Sequence, residues 1–178
     1  MPAADNVPIR YDFSAACGSL TPLGFDALQP ALAAARKMVA NVPGEMIAQM
    51  SMLELVPPYP VMTLARFGRW DEVLKEPLPP ASERYASGIF HYARGVAYAA
   101  NGQFESAATE LDSVRAIAAA VPVDMLISIN LAPHLLRVAS NALAGEIATR
   151  QGRTEEGLRM LRLAVAVEDS LHYDEPPT

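Results

Sequence analysis

Three stretches of this chain repeat one local pattern. Gly68-Arg69-Trp70-Asp71-Glu72-Val73-Leu74, Gly102-Gln103-Phe104-Glu105-Ser106-Ala107-Ala108 and Gly152-Arg153-Thr154-Glu155-Glu156-Gly157-Leu158 each run glycine, polar residue, usually a ring, acids, then a small or apolar pair. Such a pattern suits a tight helix-turn-helix. Glycine takes the φ > 0 position that stops a helix. Trp70 or Phe104 wedges into the corner, and the acids lie in the first turn of the next helix, where its dipole favours negative charge. The small residue, Ala107 or Gly157, lets the two helices close up. Gly68 and Gly102 are 34 residues apart, and Gly102 and Gly152 are 50 apart, one unit plus an insertion over 122–130.

Apolar periodicity fills in the rods. Phe25 to Asn41 reads as helical through Leu28, Leu32, Ala35 and Val39, with Glu45 to Leu55 a Met-rich second helix before Pro57-Pro58-Tyr59-Pro60. Short helices over 61–67 and 70–75 follow. Ser82 is the expected N-cap of the next helix, whose expected face is Tyr85, Ile89, Tyr92, Val96 and Ala99. Phe104 to Ala120 comes next, then a looser linker to Asn130. A helix opens near Pro133, with Leu135, Ala139, Ala142, Leu143 and Ile147 on its face. Thr154 to Leu171 closes the series, burying Leu158, Leu161, Val165 and Val167. No stretch reads as a strand. The expected fold class is all-α.

Composition narrows the function. With 178 residues, 51% of them hydrophobic and 19% charged, the chain suits one domain and is not a disordered polymer. A net charge of −6 argues against a phosphate-backbone binder, so no nucleic-acid partner is expected. One cysteine, Cys17, excludes a disulfide framework and a cysteine-based zinc site. Neither a secretory leader nor a membrane span is read, and a cytoplasmic location is the default expectation.

Gly95, Tyr98, Gly102, Phe104, Ala107 and Leu111 fall where the tetratricopeptide repeat family places its small residue, tyrosine, turn glycine, corner ring, small residue and large apolar residue. His91 stands where that family often has tryptophan. Gly145, Gly152, Leu161 and Ala164 repeat the register, with Ala148 for the tyrosine, and the first unit keeps Gly68, Trp70 and Val73. The chain thus resembles that family from about Leu55 to Leu171, in particular a C-terminal section of its long bacterial members. The resemblance implies antiparallel helix pairs stacked as a short α-solenoid. The units fall near 55–80, 82–120 and 131–172, capped by helices over 25–55, within a repeat domain of 25–172. An irregular segment 1–24 precedes it and a tail 173–178 follows.

In that family the first helices of successive units line a concave face that holds a partner segment. Carried over, the face holds Met62 and Arg66, then Tyr92 and Val96, then Glu146, Thr149 and Arg150, an apolar floor between cations. It would suit a peptide with an apolar anchor and a carboxylate. The expected function is a non-enzymatic module that binds another protein or peptide. A self-associating structural subunit is the alternative, and a metal-dependent enzyme a third. No cofactor, metal site or catalytic residue is assigned. His91, His134 and His172 lack ligand spacing, and Asp169, His172, Asp174 and Glu175 read as a polar helix end. The Met50, Met52 and Met62 group reads as core filling rather than an adaptable surface.

Overall fold

The computed structural model describes residues 23–173, with side chains from residue 27. Cys17, Asp174, Glu175 and nearly all of the 1–24 segment lie outside it. Among the described residues the chain is all-α apart from one two-residue strand pair. α1 (Leu23–Ala40) starts two residues earlier than the periodicity suggests. α3 (Tyr59–Arg66) and α4 (Trp70–Val73), α5 (Arg84–Ala100) and α6 (Phe104–Ala120), and α7 (Ala132–Arg150) and α8 (Thr154–Glu168) follow as consecutive pairs.

The three aligned glycines make the three turns. Gly68, Gly102 and Gly152 have φ of 67°, 73° and 79°. Each glycine N–H donates to the carbonyl three residues back, and the next residue's N–H to the carbonyl five back: Arg69 to Leu64 at 2.9 Å, Gln103 to Tyr98 at 2.9 Å, Arg153 to Ala148 at 2.9 Å. This is the Schellman closure. The same residue then starts the following helix, its carbonyl accepting from Val73, Ala107 or Gly157. Arg69 pairs with Glu72 at 2.5 Å, and Arg153 with Glu156, so two of the turns carry an arginine–glutamate brace across the first helical turn.

Small residues set how closely the rods approach. α7 packs on both α5 and α6. A Cβ on Gly88 would stand 2.5 Å from a Leu136 methyl, and one on Gly95 would stand 2.5 Å from a Leu143 methyl. Two leucines seven residues apart on α7 therefore seat over two glycines seven apart on α5, and both leucines are fully buried. Closer still is the α7–α8 crossing, where a Cβ on Gly157 would meet Thr149 Oγ1 at 2.2 Å, the Gly145 carbonyl at 3.0 Å and the Thr149 N at 3.1 Å. Backbone cannot swing aside as a side-chain tip can. Gly157→Val is expected to lower stability by at least about 1–3 kcal/mol, read as a drop in denaturant midpoint.

α5 is buried on two sides. Phe90, Ala93 and Ala97 join Leu28, Leu32, Val61, Leu64 and Val73 in a core with α1, α3 and α4. Ala99, with half-buried Ile89, Tyr92 and Val96, faces Leu111, Val114, Leu143 and Ile147 of α6 and α7. The expected stripe is only the second of these two faces. A third cluster gathers Val121, Ile127, Ala132 and Leu136.

Several expectations are corrected. The Met-rich segment is not one helix. It is α2 (Gly44–Gln49) followed by a 3-10 turn, Ser51–Leu55, broken at Met50. Met50, Met52 and Met62 are surface residues, not core filling. The looser linker holds a small hairpin, β1 (Leu126–Ile127) paired antiparallel with β2 (Asn130–Leu131), and Ser128 at φ 57° makes its tip. Ser82 does not cap α5: the helix begins at Arg84 after Glu83, with no side-chain bond from its N-cap.

The last helix departs most. Gly157 and Ala164 are its buried residues, while Leu158, Leu161 and Val165 are 42%, 36% and 53% exposed. Leu161 touches Gly145 along one edge. Its repeat counterpart in α6, Leu111, is buried because α7 lies over that side. No such helix covers α8 among the described residues.

Candidate functional site

Residues expected to form the concave face occupy three helices, and the structure unites some of them. Tyr92 and Val96, one turn apart on α5, are half-buried in the α5–α6–α7 core. Burial holds the Tyr92 phenol above its ordinary value of 10.0, and the charge of Glu146 on α7 pushes it the same way. Glu146 accepts from Arg150 Nε at 2.5 Å, an i,i+4 pair. Tyr92, Glu146 and Arg150 thus make one polar edge across α5 and α7. Met62 and Arg66 sit exposed one turn apart on α3. Thr149 belongs elsewhere: its hydroxyl donates to the Gly145 carbonyl at 2.8 Å and lies against Gly157, at the α8 crossing.

A buried acid does the work expected of Ser82. Glu54, 6% exposed, projects from the 3-10 turn onto the start of α5. Its Oε2 accepts from the Tyr85 N–H at 2.6 Å and the Ala86 N–H at 3.3 Å. A carboxylate bonded to orphan N–H groups at the positive helix end is a charge-assisted cap. Burial nonetheless raises the Glu54 pKa above 4.5, outweighing the bonds from Ala86 and Tyr85. An acid held above its ordinary value weakens the fold while ionised, and that cost fades as pH falls toward 4.5. Glu54→Gln is therefore expected to melt at or above wild type at pH 7, since an amide oxygen still accepts. Glu54→Ala is expected to lose about 0.5–2 kcal/mol. Equal losses from both would overturn this account.

Glu110 anchors a second buried network. His91 Nδ1 bonds its Oε2 at 2.5 Å and Arg94 Nε donates to its Oε1 at 2.9 Å. Arg94 also donates to the Leu74 carbonyl at 3.1 Å and the Tyr98 hydroxyl at 3.3 Å, with its guanidinium 5.7 Å from the Tyr98 ring centre. Burial pushes Glu110 upward, but the bonds from His91 and Arg94 outweigh it and hold the carboxyl below 4.5. The network ties α5 to α6 and to the end of the α4 turn. His91 is thus the partner of a buried glutamate.

Among the described residues no group of three or more His, Cys, Asp or Glu side chains is placed to hold a metal ion. His172 uses its backbone: its N–H donates to Asn130 Oδ1 at 2.8 Å, and its carbonyl accepts from Asn130 Nδ2 at 3.0 Å. This stitches the chain beyond α8 to the hairpin. Among the described residues no helix is long and apolar enough to cross a membrane.

Two clefts were not foreseen from the sequence. One of about 800 Å³ lies between α2, the 3-10 turn, the start of α5 and the hairpin, lined by Ser51, Glu54, Ser82, Glu83, Arg84 and Asp124 among apolar residues. Another of about 400 Å³ lies between α1, α2 and the Pro77–Pro80 loop. The sequence signal of the smaller one was its prolines, Pro57 with Pro60 and Pro77 with Pro79-Pro80, which forbid continuous helix and leave corners unfilled. Glu54, flanked by Leu53 and Leu55, was the second clue. Comparison with protein-family models, curated proteins and solved structures returns no match for this chain.

Proposed function

We propose that this protein is a tetratricopeptide-like helical-repeat module that holds a segment of another protein, without catalysis, on the face formed by α3, α5 and α7. The observation that carries the reading is the threefold recurrence of one turn: glycine at positive φ, Schellman closure, and immediate restart of the next helix. A repeated turn of one geometry sets successive helix pairs in similar relation, and the packing of α5 on α3 and α4, then of α7 on α5 and α6, follows that rule. First helices then share a face, on which Tyr92 offers an aromatic body and Arg66 and Arg150 offer charge. A partner with an apolar anchor beside a carboxylate suits it.

Site-specific photo-crosslinking tests this. A benzophenone side chain at Tyr92 or Met62 is expected to capture the same cellular partner, and one at exposed Asp112 on α6 is not. Capture should drop at least fivefold with Arg66→Glu/Arg150→Glu. Equal capture from all three positions would remove the concave face from consideration.

A second reading has its own observation, the exposed Leu158, Leu161 and Val165 on α8. Self-association through that strip would make the chain a structural subunit. Light scattering over a concentration series should then show a dimer that Leu158→Glu/Val165→Glu dissociates, while the circular dichroism melt stays within a few degrees.

A further inference from the structure

The two clefts meet beneath α2. Gly44, Ile47 and Glu83 line both, so one furrow runs from the hairpin, under α2, to the proline-rich loop. Its roof is thin. α2 has six residues, buries only Ile47 and packs chiefly against the 3-10 turn. Space beside Gly44 is open, with no atom within 4 Å of where a Cβ would stand.

Charge within the furrow is uneven. Among the described residues Glu54, Glu83 and Asp124 line the larger chamber with a single cation, Arg84, whose Nη1 donates to the Ala120 carbonyl at 2.8 Å. Glu54 spends Oε2 on both α5 N–H groups. Burial raises the pKa of Glu83, as it does that of Glu54, so both carboxylates gain from an incoming positive charge. Beyond α2 the balance changes: Arg36 pairs with Glu76 at 2.9 Å, and the remaining wall is largely apolar.

We propose that this furrow receives an extended segment of another protein, a lysine or arginine entering the chamber of Glu54, Glu83 and Asp124 and an adjacent apolar side chain passing under α2 toward Val42 and Leu78. Charge complementarity selects the basic residue. Shape selects a chain over a small amine. Small-molecule sites enclose most of their ligand, whereas these chambers are open along their flank and continue into one another. An acidic chamber followed by a largely apolar one along the furrow then reads two neighbouring side chains of an extended backbone. No residue of the concave-face reading lines the furrow, so the two proposals stand or fall separately.

Three pools of nonapeptides, with central Lys, Glu or Leu and randomised flanks, passed over the immobilised protein provide the test. The Lys pool should be retained at least tenfold over the Glu pool, with apolar residues enriched next to the lysine. This advantage should vanish in Glu83→Gln/Asp124→Asn and persist in Arg66→Glu/Arg150→Glu. Asp124 is exposed, and half-buried Glu83 makes no side-chain cap bond to α5, so the double variant should melt within a few degrees of wild type; if it does not, Asp124→Asn alone should cut retention about threefold. Equal retention of the pools, or an advantage unmoved by these substitutions, overturns the proposal. So does displacement of retained peptide by an equal concentration of spermidine, which would identify a free polyamine as the ligand.

Discussion

Leu143→Ala is expected to destabilise the protein by about 2–5 kcal/mol. Leu143 is fully buried and seats over Gly95, a position with no side chain of its own. Truncation therefore leaves a void lined by α5 backbone, Leu111, Val114 and Ile147, and neighbouring glycine cannot fill it. Replacing Gly95 by Ala in the truncated variant should recover part of the loss, because the new methyl enters the space that Leu143 vacated. Chemical denaturation of the two single variants and the double variant measures this. Additive losses, with no recovery, would mean that the leucine–glycine contact does not set the α5–α7 spacing.

Glu110→Ala is expected to cost about 2–4 kcal/mol, a little under the range for breaking a fully buried ion pair, because its side chain and that of Arg94 keep 12% and 19% exposure. The loss arises from what remains: Arg94 stays beneath Tyr98 and Leu74 without its carboxylate. Glu110→Gln keeps an acceptor for Arg94 and should lose less. The acid dependence follows from the sign of the shift. A carboxyl held below 4.5 in the fold contributes stability above that pH, and the contribution is lost as pH falls below 4.5. Glu54, shifted the other way, relieves the fold as pH falls toward 4.5. Wild type should therefore hold its stability down to about 4.5 and lose it below, and Glu110→Gln should show a shallower fall there. Equally steep losses would place the acid-sensitive group elsewhere.

The turns were readable because their causes are local. Gly102, Phe104, Glu105 and Ala107 lie within six residues and do not need the rest of the chain to fix their roles. α6 accordingly spans the residues its periodicity assigned, Phe104–Ala120. The face of α5 toward α1, α3 and α4 escaped notice because, Phe90 apart, its Ala93 and Ala97 carry too little hydrophobicity to mark a stripe beside Tyr85, Ile89, Tyr92 and Val96. Periodicity on α8 reported an apolar edge correctly, yet no pattern within one helix says whether another helix covers it. The cap on α5 was misassigned to adjacent Ser82 because Glu54 reaches it from 31 residues away. For the site, the register of α5 and α7 was enough to bring Tyr92 to Glu146. The furrow was hidden because its walls come from Gly44 and Leu126, joined only by the fold.

One helix serving two cores has a calorimetric consequence. Stacked repeats can melt piecemeal when the interfaces between them are weaker than the units. Here α5 belongs to both neighbouring clusters, so neither can lose its order without exposing the other. Heat should release α1 through α7 in one step, with calorimetric and van't Hoff enthalpies in agreement, while α8, which packs chiefly on α7, frays beforehand as a small separate shoulder.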